Sequence, residues 1–250
     1  DVDVENGMFK ERCEVEVDNS SYVIASSDGK TLYSIADEGV VSFRILPNGS
    51  LARLNSAPIR GMRGCHLCTD EEDKYVFVSG YHDGKTTVLS LNPDGSVGKI
   101  VDGVFDRGYG SVAERNFRPH VTCTRRMPDN RFVLSVDNGI DQVKIYRFND
   151  KEQRLVQVDA IRCDLESAPR HFRYSKDGKF IYLMYELKKA IEVYTYKTGD
   201  RAPVIEKIQT ISTTSTKKPD NLTAACAMRM SVDQKYIYCT NAGENTISVY

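Results

Sequence analysis

The stretch Ala168–Tyr194, APRHFRYSKDGKFIYLMYELKKAIEVY, decides the fold. It opens on Pro169-Arg170-His171 and alternates through Tyr174. It turns at Asp177-Gly178, runs apolar to Glu186 and ends in a second β-rich run. An Asp-Gly pair between two such runs is a hairpin signal, because Gly tolerates the positive φ that a tight turn needs.

The same plan recurs. SSDGKTLYSI, TDEEDKYVFVS, RMPDNRFVLSV, SKDGKFIYLMY and SVDQKYIYCTN align on Lys30, Lys74, Arg131, Lys179 and Lys235. Each has a polar turn followed by Val, Ile, Tyr and Phe, which suit a pleated, half-buried surface. A strand precedes each turn (Tyr22–Ala25, His66–Thr69, His171–Tyr174). A third strand follows (Val40–Leu46, Thr86–Leu91, Gln142–Phe148, Ala190–Tyr196, Thr246–Tyr250). A second turn leads to a fourth, less regular strand. Four antiparallel strands per ~50 residues, repeated, is the pattern of a β-propeller. The expectation is an all-β propeller of four-stranded antiparallel blades in one domain. Its units lie near 18–60, 61–117, 118–167, 168–223 and 224–250, with an outer strand in 1–17 after a turn at Asn6-Gly7. That outer run, Phe9–Val17, either completes the last blade or belongs to a longer propeller. Val101–Phe117 and Thr210–Thr223 read as long connections between units, of the kind that often covers a functional face.

Composition narrows the function. With 40% hydrophobic and 28% charged residues a sizeable core can form. A net charge of −1 with no single-sign block gives no support to nucleic acid or an anionic membrane as partner. No apolar run approaches the ~20 residues of a membrane span. Seven Cys, an odd number, read as reduced thiols and place the chain in the cytoplasm. Cys65-x-x-Cys68 lacks the second ligand pair of a structural zinc site, and residues three apart on a strand face opposite ways. No metal or cofactor is expected.

The first strands of a propeller line its channel. Eight residues before the anchors lie Tyr22, His66, His171 and Ala227, and Arg118-Pro119-His120 opens the first strand of the third unit. Three of the four His thus share one expected ring. His titrates near neutrality, and Arg118 and Arg170 beside two of them suit an anionic small molecule. Glu186, Asp137 and Asp141 sit where second strands end and could orient an imidazole or activate water. The plainer reading is that these groups satisfy one another around a water-filled channel. No Ser-His-Asp pattern or G-x-S-x-G elbow is present.

At these residues the chain resembles the propeller lactonases of the 6-phosphogluconolactonase type. The resemblance rests on GCHLCTDEEDKYVFVSGYHDG, RPHVTCTRRMPDNRFVLSVDNGIDQVKIYRF, SAPRHFRYSKDGKFIYLMYELKKAIEVY and AACAMRMSVDQKYIYCTNAGENTISVY. It implies a seven-bladed fold, of which this chain would carry about five blades. It implies hydrolysis of a small anionic sugar lactone such as 6-phosphogluconolactone; a monomer or weak dimer is expected. The catalytic residues it implies are His120, Arg170 and Glu186; His66, His171, Arg118, Asp137 and Asp141 are expected around them in binding roles. The family also includes fungal enzymes that lactonise carboxymuconate, which gives a cycloisomerase as the alternative. The chain departs from the family pattern at Ala227 (a Glu slot), Ala242 (an Arg slot) and Thr122 (a second His). Those departures leave a non-catalytic binding propeller as a third reading.

Overall fold

The structure, a computed structural model, describes residues 2–110, 117–215 and 222–250. All its regular structure is β. The first blade holds β3 (Val23–Ala25), β4 (Thr31–Ile35), β5 (Gly39–Ile45) and β6 (Leu51–Pro58). The second holds β7 (His66–Thr69), β8 (Tyr75–Gly80), β9 (Lys85–Leu91) and β10 (Val97–Phe105). The third holds β11 (Val121–Arg126), β12 (Phe132–Asp137), β13 (Gln142–Arg147) and β14 (Val156–Arg162). The fourth holds β15 (Pro169–Tyr174), β16 (Phe180–Tyr185), β17 (Ala190–Lys197) and β18 (Val204–Ser212). The fifth sheet has three strands, β19 (Ala224–Met230), β20 (Ile237–Ala242) and β21 (Thr246–Val249). Every pairing is antiparallel between chain neighbours, and the first strands touch in succession from β3 through β7, β11 and β15 to β19.

The repeated turn explains the repeated sequence. The residue before each basic anchor has positive φ: Gly29, Asp73, Asn130, Gly178 and Gln234. That φ closes a turn back to Ser26, Asp70, Met127, Ser175 and Ser231. In four of the five turns the first residue also accepts a ladder amide: Ser26, Asp70, Ser175 and Ser231 bond Thr31, Tyr75, Phe180 and Tyr236. A hydroxyl or carboxylate at that place serves four turns, and in the third, which opens on Met127, the Asp129 carboxylate accepts the Phe132 amide instead, so the loop itself varies.

The core lies between blades. Phe132 and Leu134 pack on Phe172 and Leu183, Tyr75 and Phe77 on Tyr146 and Phe148, and Met184 on Met228 and Cys239. Each fully buried side chain of this size is worth roughly 1.5–3 kcal/mol. Sheet-to-sheet burial therefore sets the channel geometry.

Three expectations change. Phe9–Val17 is not a strand: β1 (Val2–Asp3) pairs only with β2 (Met8–Phe9), and residues 10–17 form no ladder. Among the described residues no N-terminal strand joins the fifth sheet. The two long connections are shorter than expected, because β10 runs to Phe105 and β18 to Ser212. Their remaining cores, 111–116 and 216–221, lie outside the described residues.

Candidate active site

His120 ends the segment entering β11. Its backbone N–H donates to Asp137 Oδ1 at 2.8 Å, and its ring stacks on Tyr81 with centroids 4.2 Å apart. Ring Nδ1 lies 2.7 Å from the Tyr81 carbonyl oxygen. A carbonyl can only accept, so Nδ1 carries the hydrogen and Nε2 keeps its lone pair. Burial holds the imidazole pKa below its ordinary value, and the Arg118 and His82 charges lower it further. His120 is thus a neutral base with a fixed tautomer.

Arg170 sits on a β-bulge. The ladder slips between Pro169 and His171, which frees the intervening side chain to turn into the channel mouth. Arg170 Nε donates to the Cys226 carbonyl at 2.9 Å, and Nη1 donates to Glu186 Oε2 at 2.6 Å. Asn138 Nδ2 also reaches Glu186 Oε2, at 3.2 Å, and the Asn138 amide bonds the His120 carbonyl at 2.9 Å. Asn138 therefore couples His120 to the Arg170–Glu186 pair. An open depression of about 480 Å³ lies here, lined by Tyr81, His82, Thr122, Arg170, His171 and Ala227 among others.

Arg170 and Glu186 are paired, and His120 is linked to them only through Asn138; neither His120 nor Glu186 is in the lining of the depression, and Glu186 does not orient His120. That role belongs to Tyr81, and Glu186 instead holds Arg170. Asp137 touches His120 through the backbone amide, not the ring. It is fully buried, accepts a second amide from Gly139 at 2.9 Å, and its pKa is pushed up to about 8 by burial and by Asp106. Fully buried and with Oδ1 held by two backbone amides, it is not placed to activate water. Asp141 is a clamp: its carboxylate takes the amides of Glu166 and Ala168, both at positive φ, just ahead of Arg170. Gly139 between the two carboxylates has no room for a side chain, since a Cβ would lie 1.8 Å from the Arg118 carbonyl. The Asp-x-Gly-x-Asp pattern thus positions the site from behind. Arg118 is exposed on the rim, over the Phe117 ring.

The expected histidine ring is only partly present. His66 and His171 share a level, with ring centroids 5.8 Å apart, but His120 lies above them and Cys123 takes its place. The bulge between Val121 and Cys123 hides this register in the sequence. His66 is fully buried and is not in the lining, whereas His171 is. Burial, with nearby arginines, holds both imidazoles well below the ordinary pKa. Tyr81 and Asn138 were missed because a carbonyl and an amide leave no signal of charge or spacing.

A propeller lactonase model, "Lactonase, 7-bladed beta-propeller", matches residues 1–250. The chain belongs to the seven-bladed propeller lactonase family. It is 28% identical to a 6-phosphogluconolactonase of Bacillus subtilis over 256 residues, covering 100% of this chain and 72% of that protein. Among solved structures it resembles a Bacteroides fragilis protein named as a candidate 6-phosphogluconolactonase (TM-score 0.86, 27% identity, 99% of this chain and 71% of that one). A Pseudomonas aeruginosa periplasmic gluconolactonase shares the fold (TM-score 0.89, 23% identity, 99% and 72%). Within the lactonase frame, Ala227 leaves space beside His171, and exposed Ala242 ends β20. Thr122, at the position where the resemblance implies a second His, donates to the Arg170 carbonyl at 2.7 Å.

Proposed function

We propose that this lactonase-family protein hydrolyses a phosphorylated or carboxylated sugar lactone, with 6-phosphogluconolactone as the substrate to test first. The observation that supports it is a tautomer-fixed, neutral His120 coupled through Asn138 to an Arg170–Glu186 pair at one mouth. Water attacks the lactone carbonyl carbon while its proton passes to His120 Nε2. Arg170 stabilises the developing oxyanion with N–H donors beyond those given to Glu186 and Cys226. The ring C–O bond then breaks, and the leaving alkoxide recovers the proton from the imidazolium. The two neutral histidines at the ring level leave the anionic substrate to the arginines. The seven free thiols fit a reducing compartment, which supports the cytoplasm as its place of action.

Turnover of 6-phosphogluconolactone, gluconolactone and a muconate diacid tests this reading. The expected result is lactone opening above the buffer rate that falls roughly 10²–10⁴-fold in His120→Gln. Lactone opening no faster than buffer sinks the proposal, and muconate turnover alone transfers the site to cycloisomerisation.

A further inference from the structure

Below the mouth, the first strands carry a second layer of inward residues, two positions beyond the histidine level. Side chains two apart on a strand share a face. The layer reads Ile24, Cys68, Arg125, Arg173 and Arg229, so three consecutive blades place Arg at one register. Arg125 Nη1 donates to Cys68 Sγ and Nη2 lies 3.3 Å from His66 Nε2. Arg173 Nη1 bonds the Phe172 carbonyl. Arg229 bonds the Met228 carbonyl and the Tyr22 hydroxyl. Among the described residues none of the three pairs with a carboxylate, and Arg125 Nε is buried without a partner.

Three guanidinium groups at one level repel one another, most strongly at the part-buried Arg125 and Arg173 and least at exposed Arg229, and this arrangement calls for a counter-charge. The neighbours do not supply it. Burial holds the Cys68 thiol protonated and pushes Tyr174 up to about 12. Asp70 is committed to Arg126 at 3.1 Å, and Glu71 stands exposed on the rim. Burial, with the Arg125 and Arg229 charges, pushes the Arg173 pKa down to about 10, whereas that of Arg125, despite burial, is shifted upward beside Cys68 and Cys123. His66, Cys123 and His171 offer ligand atoms within 4.8 Å of one another, but the Arg125 cation against His66 Nε2 opposes a metal ion there. An opening of about 210 Å³ lined by Leu67, Cys68, Arg125 and Tyr174 leads in from the other end.

We propose that the channel holds a second, anion-binding site distinct from the Arg170–Glu186 mouth, where Arg125, Arg173 and Arg229 clasp a small multivalent oxyanion of the phosphate class. The site does not depend on the lactonase reading. Isothermal titration of inorganic phosphate at constant ionic strength tests it, with thermal melting as the second measurement. Phosphate is expected to bind with millimolar or tighter affinity and to raise the melting temperature. Arg125→Gln and Arg173→Gln are each expected to weaken binding at least roughly tenfold, the worth of one hydrogen bond to a charged group. Arg170→Gln is expected to leave it intact. Where a channel variant fails to fold, exposed Arg229→Gln takes its place and must weaken phosphate as well. Absence of phosphate binding, equal affinity in the channel variants, or loss in Arg170→Gln alone would overturn the proposal.

Discussion

At the scale of single residues, the site depends on two buried protonation states. His120 is neutral because burial and neighbouring cations disfavour imidazolium. A base must be unprotonated, so kcat/KM should fall on the acid side with an apparent pKa below 6.5. Removing a cation favours imidazolium, so Arg118→Gln should move that limb to higher pH; a pH–rate profile reads the shift directly. The second state is the Asp106–Asp137 pair. Two carboxyl groups share a hydrogen bond only when one carries a proton, and each has an Oδ2 with no other partner. The folded pKa of Asp137, about 8, lies above the unfolded one. Its stabilisation is therefore complete below the unfolded pKa and is lost as pH rises through 8. Asn at 137 keeps the Oδ1 acceptor and replaces the proton with an N–H. The Asp137→Asn protein should match wild type in melting temperature at or below pH ~4, near the unfolded Asp pKa, and exceed it by a margin that grows as pH rises to 8.

At the scale of elements, the strand–turn–strand plan was legible in the sequence and the bulges were not. Third strands expected at Gln142–Phe148 and Ala190–Tyr196 appear as Gln142–Arg147 and Ala190–Lys197. Alternating apolar residues and an Asp-containing turn mark such strands plainly. A bulge adds one residue with no compositional mark, so Cys123 was not recognisable as the partner of His66 and His171. Bulges recur at Thr122, Arg170 and Cys226 in three successive first strands. These bulges are joined in sequence: the Thr122 hydroxyl donates to the Arg170 carbonyl, and Arg170 Nε to the Cys226 carbonyl. Arg170 is thereby held on both sides by neighbouring blades. Thr122→Val keeps the shape and deletes one bond, at a cost of about 1 kcal/mol of stability in a urea titration. If the bond also positions Arg170, kcat should fall by more than KM rises. Unchanged kinetics with the stability loss would reduce Thr122 to a structural role.

At the scale of the whole molecule, blades are joined by polar groups as well as by the apolar faces between them. Ser79, Thr86, Thr124 and Ser135 form a buried hydroxyl cluster between the second and third blades. Nearby, Arg126 of the third blade crosses to Asp70 of the second at 3.1 Å, with side chains 5% and 1% exposed. Asp70 also closes its own turn through the amides of Lys74 and Tyr75. Burial raises the Asp70 pKa, and Arg126 is among the groups that oppose this. Arg126→Met would fill similar volume but leave that carboxylate uncompensated, and breaking one side of a buried pair costs roughly 3–5 kcal/mol. The sign of its pH dependence follows from the charge. Without Arg126 the folded pKa of Asp70 rises further above the unfolded value, so the variant loses stability as pH rises between the two. Below the unfolded pKa the proton removes the charge in both states. The gap in urea midpoint between Arg126→Met and wild type should therefore be widest at neutral pH and narrow toward pH ~4, near the unfolded Asp pKa. A gap that stays constant from neutral pH to pH ~4 would show that the loss comes from Arg126's contacts with Asn130 and Asp150 and with the faces of Tyr75 and Phe148 instead.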